Sequence, residues 1–500
     1  MKKTISIILS IIMTVGAIAL PVSTSAATSR VKLKSSEAAL RLTSRDGKTV
    51  RGNTRIRVTA QKGVKLKKLS YKSSDASVAV VRTNGRVVAK KQGSAKITVS
   101  VRFTYNKKSY TRKLGFRVKV TDRRRDDKLA AFSNKLYALC AKSEKGNYTM
   151  SPLSVYFALA MLYETGDAQV KSEILALTEM SDSDIAKTGE IFKKLCKSYT
   201  DFEGKEIAKL SLTNSIWYDD SENPNEKAVK SLEDKLSCTL HKTPFSTDNR
   251  KANKEIREFI KKETNGMIDR DFALSPSTLY ALINTLYFKD VWDMESRNGL
   301  STEKRAFKTA DGTKKVDFLE GEYLDGRVQE TDEAQYFYAQ TAHGYKVKFV
   351  LPKSGHTLKE AMNPDSLTEI NAKSDFKPVD ANGTKHYTRC IFPKFKIESE
   401  TPLKQILEKN ANLSQAFTGF DSPLTDSTPL KVSDIKHHTV LDVNEKGVEG
   451  AAVTVIAMEA AAAPDFTPKK FHDFVLNRAF GFIVTTPDDV VMFAGQVKNP

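Results

Sequence analysis

The chain has 500 residues, 40% of them apolar and 28% charged, with 24 glycines and 16 prolines. That balance excludes collagen-like, coiled-coil and globally disordered chains, and the length allows roughly two to four domains. The net charge of +20 is uneven: residues 28–121 carry 26 lysines and arginines against Glu37, Asp46 and Asp75, a net of +23, so the remainder is close to neutral and any polyanion partner is expected on that one segment.

In chain order, residues 1–26 read as a secretory signal peptide. Lys2 and Lys3 open it, an apolar run follows from Ile5 to about Leu20, and Thr24-Ser25-Ala26 offers a cleavage site before Ala27. The run is short for a membrane span, which needs about 20 apolar residues.

Residues 30–121 read as all-β. Thr54–Val58, Val78–Val81, Arg86–Ala89, Lys96–Val101 and Phe116–Val120 are β-branched runs, and several alternate apolar with basic residues, the pattern of half-buried strands. Asn84-Gly85 predicts a hairpin turn, because both residues tolerate positive φ. Residues 122–127, with Arg123-Arg124-Arg125-Asp126-Asp127, read as a linker open to trypsin-like nicking.

From Lys128 the pattern changes. Helices are expected over Leu129–Lys142, Leu153–Thr165, Ser183–Lys197, Asn225–Leu236 and Ala252–Thr264, the last closed by Asn265-Gly266. Strands are expected over Tyr280–Phe288, Gly344–Leu351, Arg389–Glu398, Thr439–Val443, Phe474–Leu476, Phe480–Thr485 and Val490–Val497. Helices early and strands late predict an α+β domain over 128–500. The four cysteines, Cys140, Cys196, Cys238 and Cys390, are too scattered for a disulfide scaffold, so buried free thiols are expected.

Catalytic signatures are missing: there is no HExxH, GxSxG or CxxC, and Gly47-Lys48-Thr49 lacks the upstream glycine of a phosphate-binding loop. His437 and His438 would point to opposite faces of a strand, which argues against shared metal ligation. No metal, cofactor or enzymatic activity is therefore expected. The segment from Val443 to Pro464 runs from a strand into small residues and then an alanine run. By composition alone it is either a surface alanine-rich helix or an exposed loop.

Several motifs carry family resemblance. Tyr71–Val81, Asn84–Ala89 and Gly93–Val99 resemble bacterial Ig-like group 2 domains, small β-sandwiches that act as spacers and adhesive modules. Residues 128–500 resemble a serpin: Asn147–Ser154, Leu212–Trp217, Thr264–Ile268, Leu282–Trp292, Phe392–Phe395 and Phe493–Pro500 follow in that family's order. The resemblance implies a large central sheet and an exposed reactive loop offered as bait to a serine protease. Cleavage would leave an acyl-enzyme, and the freed loop would insert into the sheet, dragging the protease with it (serpin loop insertion is itself a standard example of such a transition).

The residues fit that mechanism. An inserted central strand must bury alternate side chains, and positions 448, 450, 452, 454 and 456 are Val448, Gly450, Ala452, Thr454 and Ile456, all small or apolar. Glu449 falls on the opposite face. The expected hinge comprises Glu445, Gly447, Val448, Gly450, Ala451, Ala452 and Thr454. Family spacing places the scissile bond between Ala461 and Ala462, and seventeen residues of strand reach about 56 Å. An alanine before the cut fits a small primary pocket, so elastase-like or subtilisin-like targets are expected. Ser151, Ser154, Asn284 and His437 match the family's sheet-opening polar cluster, Trp292 matches the packing residue where insertion begins, and Lys394 and Glu445 match a charge pair at the loop's root. The expectation is a secreted, monomeric suicide inhibitor that does not bind nucleic acid, with an anionic wall polymer or glycan as a second partner for residues 30–121. The alternatives are a non-inhibitory serpin and a surface adhesin led by the basic domain.

Overall fold

The computed structural model describes residues 29–45, 48–122, 124–201, 204–293, 300–324, 328–372, 385–410, 413–425, 429–432, 435–448 and 469–500. Contacts divide the chain into two units, Met1–Arg124 and Arg125–Pro500.

The first unit is all-β. Strands β1 (Glu37–Arg45), β2 (Lys48–Arg51), β3 (Lys65–Ser73), β4 (Gly93–Tyr105) and β5 (Lys108–Asp122) form one sheet in the order β2-β1-β5-β4-β3. Alternation sorts its two faces: Ile97, Val99, Val101 and Phe103 of β4 and Phe116, Val118 and Val120 of β5 are buried, while the residues between them turn outward. A three-stranded sheet of Asn53–Arg55, Arg86–Ala89 and Ala79–Val81 supplies Val87 and Ala89 to the same core. The Asn84-Gly85 turn closes its hairpin, with Gly85 at φ +78° and Asn84 Oδ1 accepting from the Arg86 amide at 3.0 Å. The run Thr54–Val58 is divided, ending one strand at Arg55 and starting another, Val58–Ala60, in a separate two-stranded sheet. At the far end β5 continues to Asp122 and helix α1 (Arg124–Ala141) already starts at Arg124, so regular structure occupies most of the stretch read as linker.

In the second unit helix α2 (Pro152–Thr165) is apolar almost all round and buried, as a central helix must be. Ser151 caps it, its hydroxyl accepting from the Ser154 amide, and Pro152 takes the first turn, where its missing N–H costs nothing. Helix α3 (Asn249–Glu263) has a narrow apolar stripe, Ala252, Ile256 and Ile260, packed on Trp217 and Phe245. It ends where Asn265 and Gly266 turn to positive φ, as their residue types predict.

The seven-stranded main sheet contains β6 (Lys197–Thr200), β7 (Glu206–Asp219), β8 (Cys238–Thr243), β9 (Tyr280–Val291), β10 (Phe395–Pro402), β11 (Lys436–Asn444) and β12 (Gly447–Val448). Its order is β6-β7-β9-β12-β11-β10, with β8 parallel to β7. A six-stranded sheet contains the C-terminal strand Val491–Val497, between Tyr148–Met150 and Phe480–Thr485, and a four-stranded sheet contains Lys385–Pro393 and Lys469–Val475.

Two expected elements divide. Ser183–Lys197 becomes Asp182–Ile185 and Thr188–Leu195, where Gly189 lies so close to the Lys235 carbonyl that a Cβ would sit 2.0 Å from it. Arg389–Glu398 divides at Lys394, because the chain crosses there from the four-stranded sheet into β10. Helix Ala168–Thr178 is an addition, capped by Asp167 and buried through Val170 and Ile174. The cysteines are free thiols; Cys140, Cys238 and Cys390 are buried and Cys196 half-buried.

Candidate functional site

The site is the seam between β9 and β11. Among the described residues no backbone pair joins these strands directly; β12 stands between them, with Asp290 and Val443 opposite Val448 and Val291 and Asn444 opposite Gly447. The chain leaves β11 at Asn444, turns through Glu445 and Lys446, and re-enters the sheet at Gly447. Asn444 Oδ1 accepts from the Lys446 amide at 3.0 Å and steadies that turn. Only glycine fits at position 447: φ is +156°, and a Cβ would come within 2.0 Å of the Asp290 carbonyl oxygen. Val448, 1% exposed, is already part of the core.

Three groups anchor the entry. The Trp292 indole N–H donates to the Asn444 carbonyl at 2.7 Å, and its ring meets Phe392 edge-on at 5.8 Å. Lys394 Nζ lies 2.9 Å from Glu445 Oε2, and this bond holds the Glu445 carboxyl below its ordinary pKa. The buried Asp290 carboxylate accepts from His343 Nδ1 at 2.8 Å, from the His343 amide at 3.2 Å and from the Val291 amide at 2.9 Å. The His343 ring stacks on Tyr199 of β6 at 3.8 Å.

Deeper in the seam, two polar clusters face the start of α2. In one, Ser154 Oγ donates to Asn284 Oδ1, Asn284 Nδ2 to Asn214 Oδ1 at 2.7 Å, and Asn214 Nδ2 to the Leu236 carbonyl at 2.8 Å. In the other, the Ser151 amide donates to His437 Nε2 at 2.9 Å, and Thr439 Oγ1 lies 2.9 Å from the same nitrogen. Burial pushes His437 down to a pKa of about 4, so the ring is neutral near pH 7; accepting at Nε2 leaves its proton on Nδ1. The clusters touch through the Ser154 amide and Ser151 Oγ. Among the described residues no hydrogen bond joins Asn284 to His437 across the seam. His438 turns to the other face, where its Nδ1 is 3.2 Å from Arg270 and its Nε2 is 3.1 Å from Glu398.

Ser151, Ser154, Asn284, Trp292, Lys394, His437, Glu445, Gly447 and Val448 therefore line or close one seam. Gly450, Ala451, Ala452, Thr454, Ala461 and Ala462 lie outside the described residues. Sequence reading missed Asn214, Thr439, Asp290, His343 and Tyr199. Asn214 carries a visible signal, a polar residue at the alternate position otherwise held by Ala208, Leu210, Leu212 and Ile216; the Tyr199–His343–Asp290 group carries none, since its members are far apart in the chain.

A family model described as Serpin (serine protease inhibitor) matches residues 127–500. The chain belongs to the serpins, a family of protease inhibitors rather than enzymes. It is similar to Iripin-1 of Ixodes ricinus, at 29% identity over 71% of this chain and 89% of the relative. It is similar also to Serpin A3-1 of Bos taurus, at 28% identity over 77% and 92%. Among solved structures it matches the thermophilic serpin tengpin in its native state, with TM-score 0.60, 24% identity and 75% and 94% coverage. It matches thyroxine-binding globulin in complex with thyroxine with TM-score 0.58, 21% identity and 75% and 99% coverage.

Proposed function

We propose that this chain is a secreted suicide inhibitor of serine proteases with a small primary pocket, elastase-like or subtilisin-like, acting by loop cleavage and strand insertion. The supporting observation is the register of β12. Continued antiparallel along both neighbours, it brings position 450 opposite Phe288 and Leu441, 452 opposite Leu286 and Thr439, and 454 opposite Asn284 and His437. Gly450 and Ala452 are small enough for that face. Thr454 brings a hydroxyl to the place where Asn284 and His437 have no bond to each other. Position 449 falls opposite Lys289 and Asp442 on the other face, so Glu449 would stand between a cation on one neighbour and a carboxylate on the other.

In the reaction the protease serine attacks the Ala461 carbonyl. The peptide bond to Ala462 breaks, the new amine leaves with a proton, and Ala461 remains esterified to the enzyme. Residues 449–461 then enter the seam and carry the acyl-enzyme away before water hydrolyses the ester. Thyroxine-binding globulin shares the fold, so the fold alone does not point to an inhibitor; the small residues at 450, 452 and 454 support that reading, since a charge there would be buried at a cost of several kcal/mol.

Residues 1–26 act as the secretion leader in this reading. Residues 30–121 form an Ig-like sandwich that binds a polyanion. No described helix is long and apolar enough to cross a membrane.

The test is incubation with an elastase and a subtilisin, read by denaturing gel and mass spectrometry. A detergent-stable complex and a released peptide starting at Ala462 are expected; cleavage without complex across both enzymes would overturn the inhibitory reading.

A further inference from the structure

The outward face of the first unit's main sheet keeps like charges directly opposite one another. Lys96 of β4 faces Arg117 of β5, and Arg102 of β4 faces Lys68 of β3. All four side chains are exposed. Opposed like charges on neighbouring strands cost stability, and the only carboxylate among the described residues of this face, Glu37, sits at one side and pairs with Arg117 at 3.3 Å. Lys113 and Lys119 extend the array along β5. Ser100 and Ser94 stand opposite them, and Thr98 and Gly115 face each other between the charges, so the floor is made of small, mostly hydroxyl-bearing side chains. The aromatic side chains Phe103, Tyr110 and Phe116 belong to the inner face.

We propose that this face docks a flexible linear phosphodiester polymer of the poly(glycerol phosphate) type. The inference rests on, and deepens, the reading that the β unit binds a polyanion. Arg117 and Lys119, two residues apart on β5, stand about 6.7 Å from each other, Lys113 lies about 13 Å from Arg117, and neighbouring strands lie about 4.8 Å apart. A chain with one phosphate after every three-carbon unit repeats its charge over a comparable distance and can lie on the small-residue floor. Its phosphates would relieve the Lys96–Arg117 and Lys68–Arg102 repulsions. Among the described residues of this face nucleic-acid bases would find no aromatic ring to stack on, and an acyl boundary would find no large exposed apolar side chain to bury; Leu66, the large apolar residue exposed among the described residues of this unit, stands opposite Phe103, a residue of the inner face.

The experiment uses the full chain and fluorescent poly(glycerol phosphate), with duplex DNA and anionic phospholipid vesicles as competing probes. The variant Lys96→Gln/Lys113→Gln/Lys119→Gln removes three face charges. The charge-matched control Arg82→Gln/Lys90→Gln/Lys91→Gln removes three from outside this sheet. The face variant is expected to lose about tenfold or more in affinity and to lower the slope of log K against log salt by about 2, while the control changes much less. Wild-type lysine acetylation, read by mass spectrometry, should show Lys96, Lys113 and Lys119 protected by the polymer, a readout that needs no variant. Equal losses in both variants, or no protection, would overturn the face assignment while leaving polyanion binding intact. Tighter binding of DNA or vesicles at the same salt would overturn the choice of occupant, and no binding of any anion would overturn the polyanion reading itself.

Discussion

The two units treat their central strands in opposite ways. In the first, β5 is hydrogen-bonded along both edges, to β4 and to β1, and its alternation runs unbroken from Leu114 to Val120. In the second, β9 is paired along β7 on one edge, whereas its described pairing on the other is confined to Asp290 and Val291. The first unit's polar groups project outward and its core is apolar. The second unit buries Ser151, Asn214, Asp290, His437 and Thr439 beside its seam. Buried polar groups need partners supplied by a particular arrangement, and in the proposed mechanism those beside the seam are the ones that strand insertion would rearrange.

The contrast can be broken at the seam first. Thr454→Arg should leave loop cleavage intact yet abolish the detergent-stable complex, because insertion would bury an unpaired charge beside Asn284 at a cost of several kcal/mol; stoichiometry on gels reads this. The next effect is pH. His437 is held neutral, with a folded pKa of about 4 against 6.5 in the unfolded chain. The unfolded state therefore binds the extra proton as pH falls from about 6.5 towards 4, and stability falls with it. The loss amounts to about 3 kcal/mol at the acid end, with none of this contribution changing above about pH 7. Melting curves of wild type and His437→Gln should diverge in slope across that window and run parallel above it.

His343→Ala should cost about 2 kcal/mol, since it removes the imidazole donor from a carboxylate with no exposed side-chain surface but leaves its two backbone donors. Denaturant melts of the second unit measure it. In the first unit, single substitutions such as Lys72→Ser should change stability by no more than about 0.5 kcal/mol, because that side chain is exposed and outside the core. A larger loss there than at His343 would reverse the comparison.

Much of this was readable from residue order. The Asn84-Gly85 hairpin and the stop at Asn265-Gly266 follow from local chemistry, whereas the expected hinge and the roles of Trp292, Lys394 and Glu445 came from motifs that resemble the family's. The remainder depends on tertiary contact. A strand run through Lys394 looks continuous because Phe392 and Phe395 are both apolar, yet Phe392 packs on Trp292 and Phe349 while Phe395 packs on Phe480 and Phe482. Asp290 in sequence is one more charge after Lys289; only folding brings His343 to it. Helix Ala168–Thr178 had its signals in Asp167, Val170 and Ile174, but its apolar stripe is short.

In the proposed mechanism residues 449–461 enter the seam between β9 and β11 after cleavage. The direct measurement is thermal melting of the intact protein beside the same protein nicked at Ala461–Ala462. A large rise in the melting temperature of the nicked form is expected, with new amide protection along β9 and β11. An unchanged or lowered melting temperature after verified cleavage would contradict that mechanism.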